Sequence, residues 1–199
     1  MIHLDKKIKH KNLIVIYYLI LIILKGSNKM KKKIVNTLFY IGIVFYVLFL
    51  SWNILFKYVS PVEMFSSTRE YYRSINIVPF IDVLNDNFNI MEIVGNIILF
   101  IPLGIYMGIF NRGKLSKNII NILVISTFFE VSQYIFALGA TDVTDICTNT
   151  TGGIIGILIY FSIKKLLKYD NKVKNFVTVC SSVLLLLVSF ILVGIILAN

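Results

Sequence analysis

Five apolar runs, each close to bilayer length, constrain this chain more than any other feature: about 34 to 56, 93 to 110, 118 to 137, 146 to 163 and 176 to 198. A helix rises ~1.5 Å per residue, so about 20 apolar residues match a hydrocarbon core of ~30 Å. A soluble domain would interrupt such runs with polar loops, and a composition of 57% hydrophobic and 15% charged residues excludes one here. Lipid offers the backbone no hydrogen-bond partners, so apolar spans of this kind close their bonds internally as helices. The expected fold is an all-α membrane protein, a polytopic helical bundle of four to five transmembrane helices. Pro102 falls inside the second run, where its missing N–H should bend the helix.

The organisation read from the chain is an N-terminal extension over 1–29, a membrane domain over 30–175 and a C-terminal transmembrane helix over 176–199. In the extension, the stretch from Asn12 to Leu24 reaches only about 18 Å as a helix, too short to span. Lys25-Gly26-Ser27 lacks the small-residue pattern of a signal-peptide cleavage site. Met30-Lys31-Lys32-Lys33 before an apolar run resembles a bacterial start, and Lys25-Gly26 can be encoded by a purine-rich AAA-GGA about nine nucleotides upstream. The preferred reading is that translation begins at Met30 rather than Met1, residues 1–29 being an over-extended start.

A net charge of +10 would suggest nucleic acid in a soluble protein, but the positions of the charges argue otherwise. Lys31, Lys32, Lys33, Arg112, Lys114, Lys117, Lys164, Lys165, Lys168, Lys172 and Lys174 fall at one end of the spans. Only Lys57, Arg69 and Arg73 fall at the other. By the positive-inside rule the lysine-rich loops are cytoplasmic and the acidic residues Glu63, Glu70, Asp82, Asp86, Glu92, Asp142 and Asp145 lie outside. No nucleic-acid partner is expected. Cys147 and Cys180 sit near opposite ends of their helices, so no disulfide joins them. His3 and His10 lie in the charged N-terminal stretch, which leaves no histidine base or ligand in the apolar body.

Polar groups inside the spans are where chemistry can sit. Glu130 lies inside the third run, where an ionised carboxylate costs a few kcal/mol unless paired or protonated, and Gln133 follows on the same face. Structural hydrogen bonding between helices is one reading of this pair. Asp142, Asp145 and Asn149 follow at spacings of three and four along one stripe; capping of the fourth helix is one reading, although it would require a single acid. Asn96 sits near the outer end of the second helix, and Gly152 and Gly156 form a small-xxx-small pair suited to close packing. In the preceding loop, Arg69 and Arg73 stand one helical turn apart before Asn76. They suit capture of a phosphate or carboxylate and equally suit pairing with Asp142 or Asp145.

Taken in order, Asn76-x-x-Pro79-Phe80, Gly95-Asn96-x-x-x-Phe100-x-Pro102-x-Gly104, Glu130-x-x-Gln133 and Asp142-x-x-Asp145-x-x-x-Asn149-Thr-x-Gly152 resemble the VanZ-like family, named for teicoplanin resistance. The likeness spans roughly residues 69 to 160. The chain departs from the family pattern after Gly139, where Ala140 stands in place of an arginine. The resemblance implies a polytopic envelope protein, with some relatives tied to low-level glycopeptide resistance.

The expected function is the handling of an envelope lipid or cell-wall-linked, glycopeptide-related ligand at the outer leaflet of the cell membrane. Asn96, Glu130, Gln133, Asp142, Asp145 and Asn149 would line a polar pocket, with Asn76 beside it and Arg69 and Arg73 over its mouth. In a binding version no bond is made or broken. In an enzymatic version, ranked second because no specific nucleophile is present, Glu130 is the acid or base while Asp142 and Asp145 hold a divalent cation against a phosphorylated lipid. No other cofactor is implied. A structural or regulatory bundle without a ligand is the third reading, and transport is weaker, since no inverted repeat is visible.

Overall fold

The computed structural model describes residues 28–66, 73–80 and 89–198. Arg69, most of the extension over 1–29, and the loop acids Glu70, Asp82 and Asp86 lie outside the described residues. The elements in chain order are α1 (Asn28–Leu55), α2 (Pro61–Met64), β1 (Arg73–Asn76), α3 (Ile90–Phe110), α4 (Leu115–Ile135), β2 (Gly139–Asp142), α5 (Val143–Leu167) and α6 (Asp170–Ala198). Five of these helices are long and apolar enough to cross a membrane, which makes the chain an all-α membrane protein. Exposed apolar side chains along them, such as Leu48, Ile98 and Phe128, are the surface that lipid would cover.

Helices α3 and α5 begin about three residues before their apolar runs because a capping side chain, and not the first apolar residue, sets a helix start. The Asn89 side chain accepts the N–H of Met91, and that of Asp142 accepts the N–H of Thr144 at 2.6 Å. Helix α3 continues through Pro102.

The chain divides into two compact units, one made of Met1–Gly42 and Val177–Asn199, the other of Ile43–Phe176. In the second, Leu50, Ile54, Phe100, Leu103, Ile122, Phe129 and Ile157 form the core, with Phe100 edge-on to Phe129. Helices α3 and α5 touch backbone to backbone. A Cβ on Gly152 would fall 2.2 Å from the Ile97 carbonyl oxygen, and one on Gly156 would fall 2.0 Å from that of Ile101. The expected glycine packing face is thus present, and its partner is α3.

The connections are not wholly irregular. Strands β1 and β2 pair in parallel, Arg73 opposite Gly139 through to Asn76 opposite Asp142. Gly139 has φ 153°, and a Cβ there would lie 2.5 Å from the Tyr58 ring. This ribbon binds the α1–α3 loop to the α4–α5 turn at the end of the bundle where α3 and α5 begin. In the first unit, the Thr37 hydroxyl donates to the Lys33 carbonyl within α1. Cys147 and Cys180 are free thiols.

Candidate functional site

At that end of the second unit lies a recess of about 260 Å³. Strands β1 and β2 supply Asn76, Ala140 and Asp142; α3 supplies Glu92 and Ile93; α5 supplies Thr144 and Asp145; Tyr58 and Phe80 come from the loops. A larger open groove along the start of α1, lined by lysines and Tyr40, contains no carboxylate.

The charged wall is built in layers. Asp145, in the first turn of α5, accepts from the Asn96 amide at 2.8 Å and from the Lys57 ammonium at 3.2 Å. A carboxylate there also meets the unpaired N–H groups of a helix start. Lys57 forms a second ion pair with Glu92, which also accepts from the Tyr58 hydroxyl. Burial above all, and the bond to Glu92, push the Tyr58 phenol above its ordinary range, so it stays a neutral donor at physiological pH. Asp142 accepts from the Asn76 amide at 3.1 Å while it caps α5. The Thr144 hydroxyl accepts the N–H of Phe80 at 2.9 Å and fixes the end of the β1 loop.

Behind this wall sits Glu130, 1% exposed and facing protein. Its Oε2 accepts the backbone N–H of Asp142 at 2.9 Å, and its carbonyl accepts from the Thr141 hydroxyl. Oε1 has no hydrogen-bond partner among the described residues. Gln133 turns away to α1, donating to the Ile54 carbonyl, one of the acceptors that a helix end leaves unused. Asn149 donates to Ser126 of α4.

Of the residues expected at the pocket, Asn76, Asp142 and Asp145 line the recess. Asn96 and Glu130 support it from behind through Asp145 and Asp142, whereas Gln133 and Asn149 join helices elsewhere in the bundle. The guanidinium of Arg73 donates to the Ile135 carbonyl at 3.2 Å and lies over the Tyr134 ring, 5.9 Å from its centre. The ion pair of Asp145 is made by Lys57. Both readings of Asp142 and Asp145 have a counterpart: one caps α5, and both face the recess. Sequence reasoning missed Lys57, Tyr58, Glu92 and Thr144. Lys57 flanks the first apolar run and was counted as an orienting charge; its position 88 residues from Asp145 carries no local sign of the pairing. Among the described residues, no group of three His, Cys, Asp or Glu side chains is gathered closely enough to hold a metal ion.

Helices that span a bilayer, ending on a recess whose wall is carboxylate, amide and hydroxyl, define a polytopic membrane protein with a polar site at one end of its bundle. The chain belongs to the VanZ/LLP1 family, whose pattern it matches over residues 43–167. It is 38% identical over 116 residues to Protein VanZ of Enterococcus faecium, an alignment covering 58% of this chain and 68% of that protein. No solved structure matches it.

Proposed function

We propose that the chain binds an envelope lipid or cell-wall-linked ligand in this recess, at the outer leaflet, and thereby lowers susceptibility to teicoplanin. The observation that carries the reading is the recess itself: separate helices and two loops converge there to hold polar side chains at the end of an otherwise apolar bundle. The name of the Enterococcus faecium relative and the family resemblance supply the glycopeptide connection. Orientation rests on the lysine bias, which puts the recess outside and the α3–α4 and α5–α6 connections in the cytoplasm. Binding is preferred to catalysis because Glu130, with one oxygen on the Asp142 N–H, stands behind the wall and does not line the recess.

Two measurements test this. Expression in a susceptible bacterium should raise the inhibitory concentration of teicoplanin, and Ala140→Trp, which fills the recess, should abolish the rise at equal protein level. An unchanged phenotype in the filled variant rejects the pocket and favours a bundle that acts without a ligand. For orientation, Cys147 and Cys180 are replaced by Ser, and a cysteine is placed at Val62 or Ser116. An impermeant thiol reagent applied to intact cells should label the Val62 site only; the reverse pattern places the recess inside.

A further inference from the structure

The walls of the recess point to the chemistry of what enters it, an inference that rests on the binding reading above. Among the described residues every charged side chain lining the cavity is acidic: Glu92, Asp142 and Asp145. The Lys57 ammonium lies outside the lining, already paired with Glu92 and Asp145, and Arg73 is turned to Ile135. Three carboxyl groups thus face one ammonium, and the ammonium is not presented to the cavity. Of the local donors, Tyr58 is engaged on Glu92 and Asn76 on Asp142, while Ser74, Asn89 and Thr144 add neutral polar groups to the lining.

The excess is therefore one of negative charge and of charged acceptors. A carboxylate offers about four acceptor positions. Asp142 receives the Thr144 N–H and the Asn76 amide, while Asp145 receives Asn96 and Lys57, so each retains unused lone pairs. Behind Asp142, the Oε1 of Glu130 has no partner among the described residues, in a side chain 1% exposed that does not line the cavity. An anionic headgroup would meet like charge here. Among the described residues no three His, Cys, Asp or Glu side chains gather closely enough to supply a divalent ion's protein ligands. A primary ammonium has three N–H donors that diverge, and separated acceptors suit it.

The size and flanks of the recess narrow the choice further. At about 260 Å³ it is smaller than the ~300–1,000 Å³ of sites that enclose drug-sized molecules, so it accommodates a headgroup. Phe80 and Ile93 form part of its wall. Ile77, Val78, Ile90 and Met91, close in sequence to the lining residues Asn76, Phe80 and Asn89, are exposed apolar side chains. We propose that the recess receives the primary ammonium of an amine-headed lipid, with Glu92, Asp142 and Asp145 as acceptors and the lipid tail lying along these apolar flanks.

The test uses the full chain in phosphatidylcholine nanodiscs with EDTA present, and reads lipid retention by native mass spectrometry. The probes are phosphatidylethanolamine, its N-acetylated derivative, phosphatidylglycerol and free ethanolamine. Phosphatidylethanolamine should bind about tenfold more tightly than the N-acetylated lipid, as expected for loss of one charge-assisted contact. Asp142→Asn keeps a good helix cap while removing charge, and Glu92→Gln keeps its shape; each should weaken retention by about tenfold. Preference for phosphatidylglycerol, indifference to N-acetylation, a requirement for added Ca²⁺, or equal binding of free ethanolamine overturns the inference. Ala140→Trp, with Ser74→Trp as a second block, separates this failure from failure of the parent reading. If the blocks abolish teicoplanin protection while the amine preference is absent, only the headgroup assignment falls. If they change neither retention nor protection, the pocket falls with it.

Discussion

The Oε2 atom of Glu130 accepts the backbone N–H of Asp142 at 2.9 Å, so a carboxyl group of α4 holds the residue that starts α5. Glutamine at 130 can accept the same N–H. Glu130→Gln should therefore fold as the parent does, while Glu130→Ala loses about 1–3 kcal/mol by leaving a buried donor unpaired. Thermal unfolding in detergent measures the difference. In the teicoplanin assay Glu130→Gln should retain protection; complete loss at normal expression would instead favour acid–base catalysis.

Lys57 and Asp145 should be energetically coupled. Neither side chain is fully exposed, at 19% and 14%, so their ion pair is sheltered from full solvent screening. A double-mutant cycle with Lys57→Met and Asp145→Asn should return a coupling of about 0.5–3 kcal/mol. A coupling indistinguishable from zero would mean that the pair does not organise the wall.

The contact between α3 and α5 predicts opposite outcomes for two glycines. Gly156→Ala would place a methyl 2.0 Å from the Ile101 carbonyl oxygen, and both groups belong to helical backbone. Separation of the helices should cost at least about 1–3 kcal/mol. Nothing lies within 4 Å of the corresponding position on Gly95. Gly95→Ala should be neutral or stabilise by up to about 1 kcal/mol. Melting temperatures of the two variants decide the matter.

Arg73→Gln removes a contact to a carbonyl and an exposed stacking on Tyr134, together worth about 1 kcal/mol or less. Stability should change little and lipid preference should be unaltered. A selective loss of anionic-lipid binding would restore a role for Arg73 in anion capture.

The short helix α2 should respond to acid. The backbone N–H of Ser60 donates to the Glu63 carboxylate, and this bond holds Glu63 below the ordinary carboxylate range. Because the folded value lies below the unfolded one, the cap's contribution is present above the unfolded value and is lost as pH falls through the folded one. The protection factor of the Ser60 amide, its exchange corrected for the intrinsic rate at each pH, should fall over that acidic window, and Glu63→Gln should remove that fall.

The spans were legible in the sequence because a bilayer demands long apolar runs, and the ordered motifs from Asn76 to Gly152 carried the family. The partner of Gly152 and Gly156 was not legible, since a small-xxx-small pair advertises a contact without naming the opposing helix. The ribbon was hidden for a different reason. Arg73–Asn76 and Gly139–Asp142 are four-residue segments whose strand character comes only from each other. Polar residues of one helical stripe were expected to share a pocket, yet Asp145 bonds Asn96 of α3 whereas Asn149 bonds Ser126 of α4. One turn of α5 is enough to pass from one neighbouring helix to another.

The parallel ribbon also sets an order of events during synthesis. Its first strand leaves the ribosome after α1, but its mate appears only when two further spans have been made, because a parallel pair requires a crossover between its strands. A nascent chain arrested before Asp142 therefore has three of its five long apolar helices made and an incomplete wall to its recess. The recess should be completed in one step, with the emergence of α5.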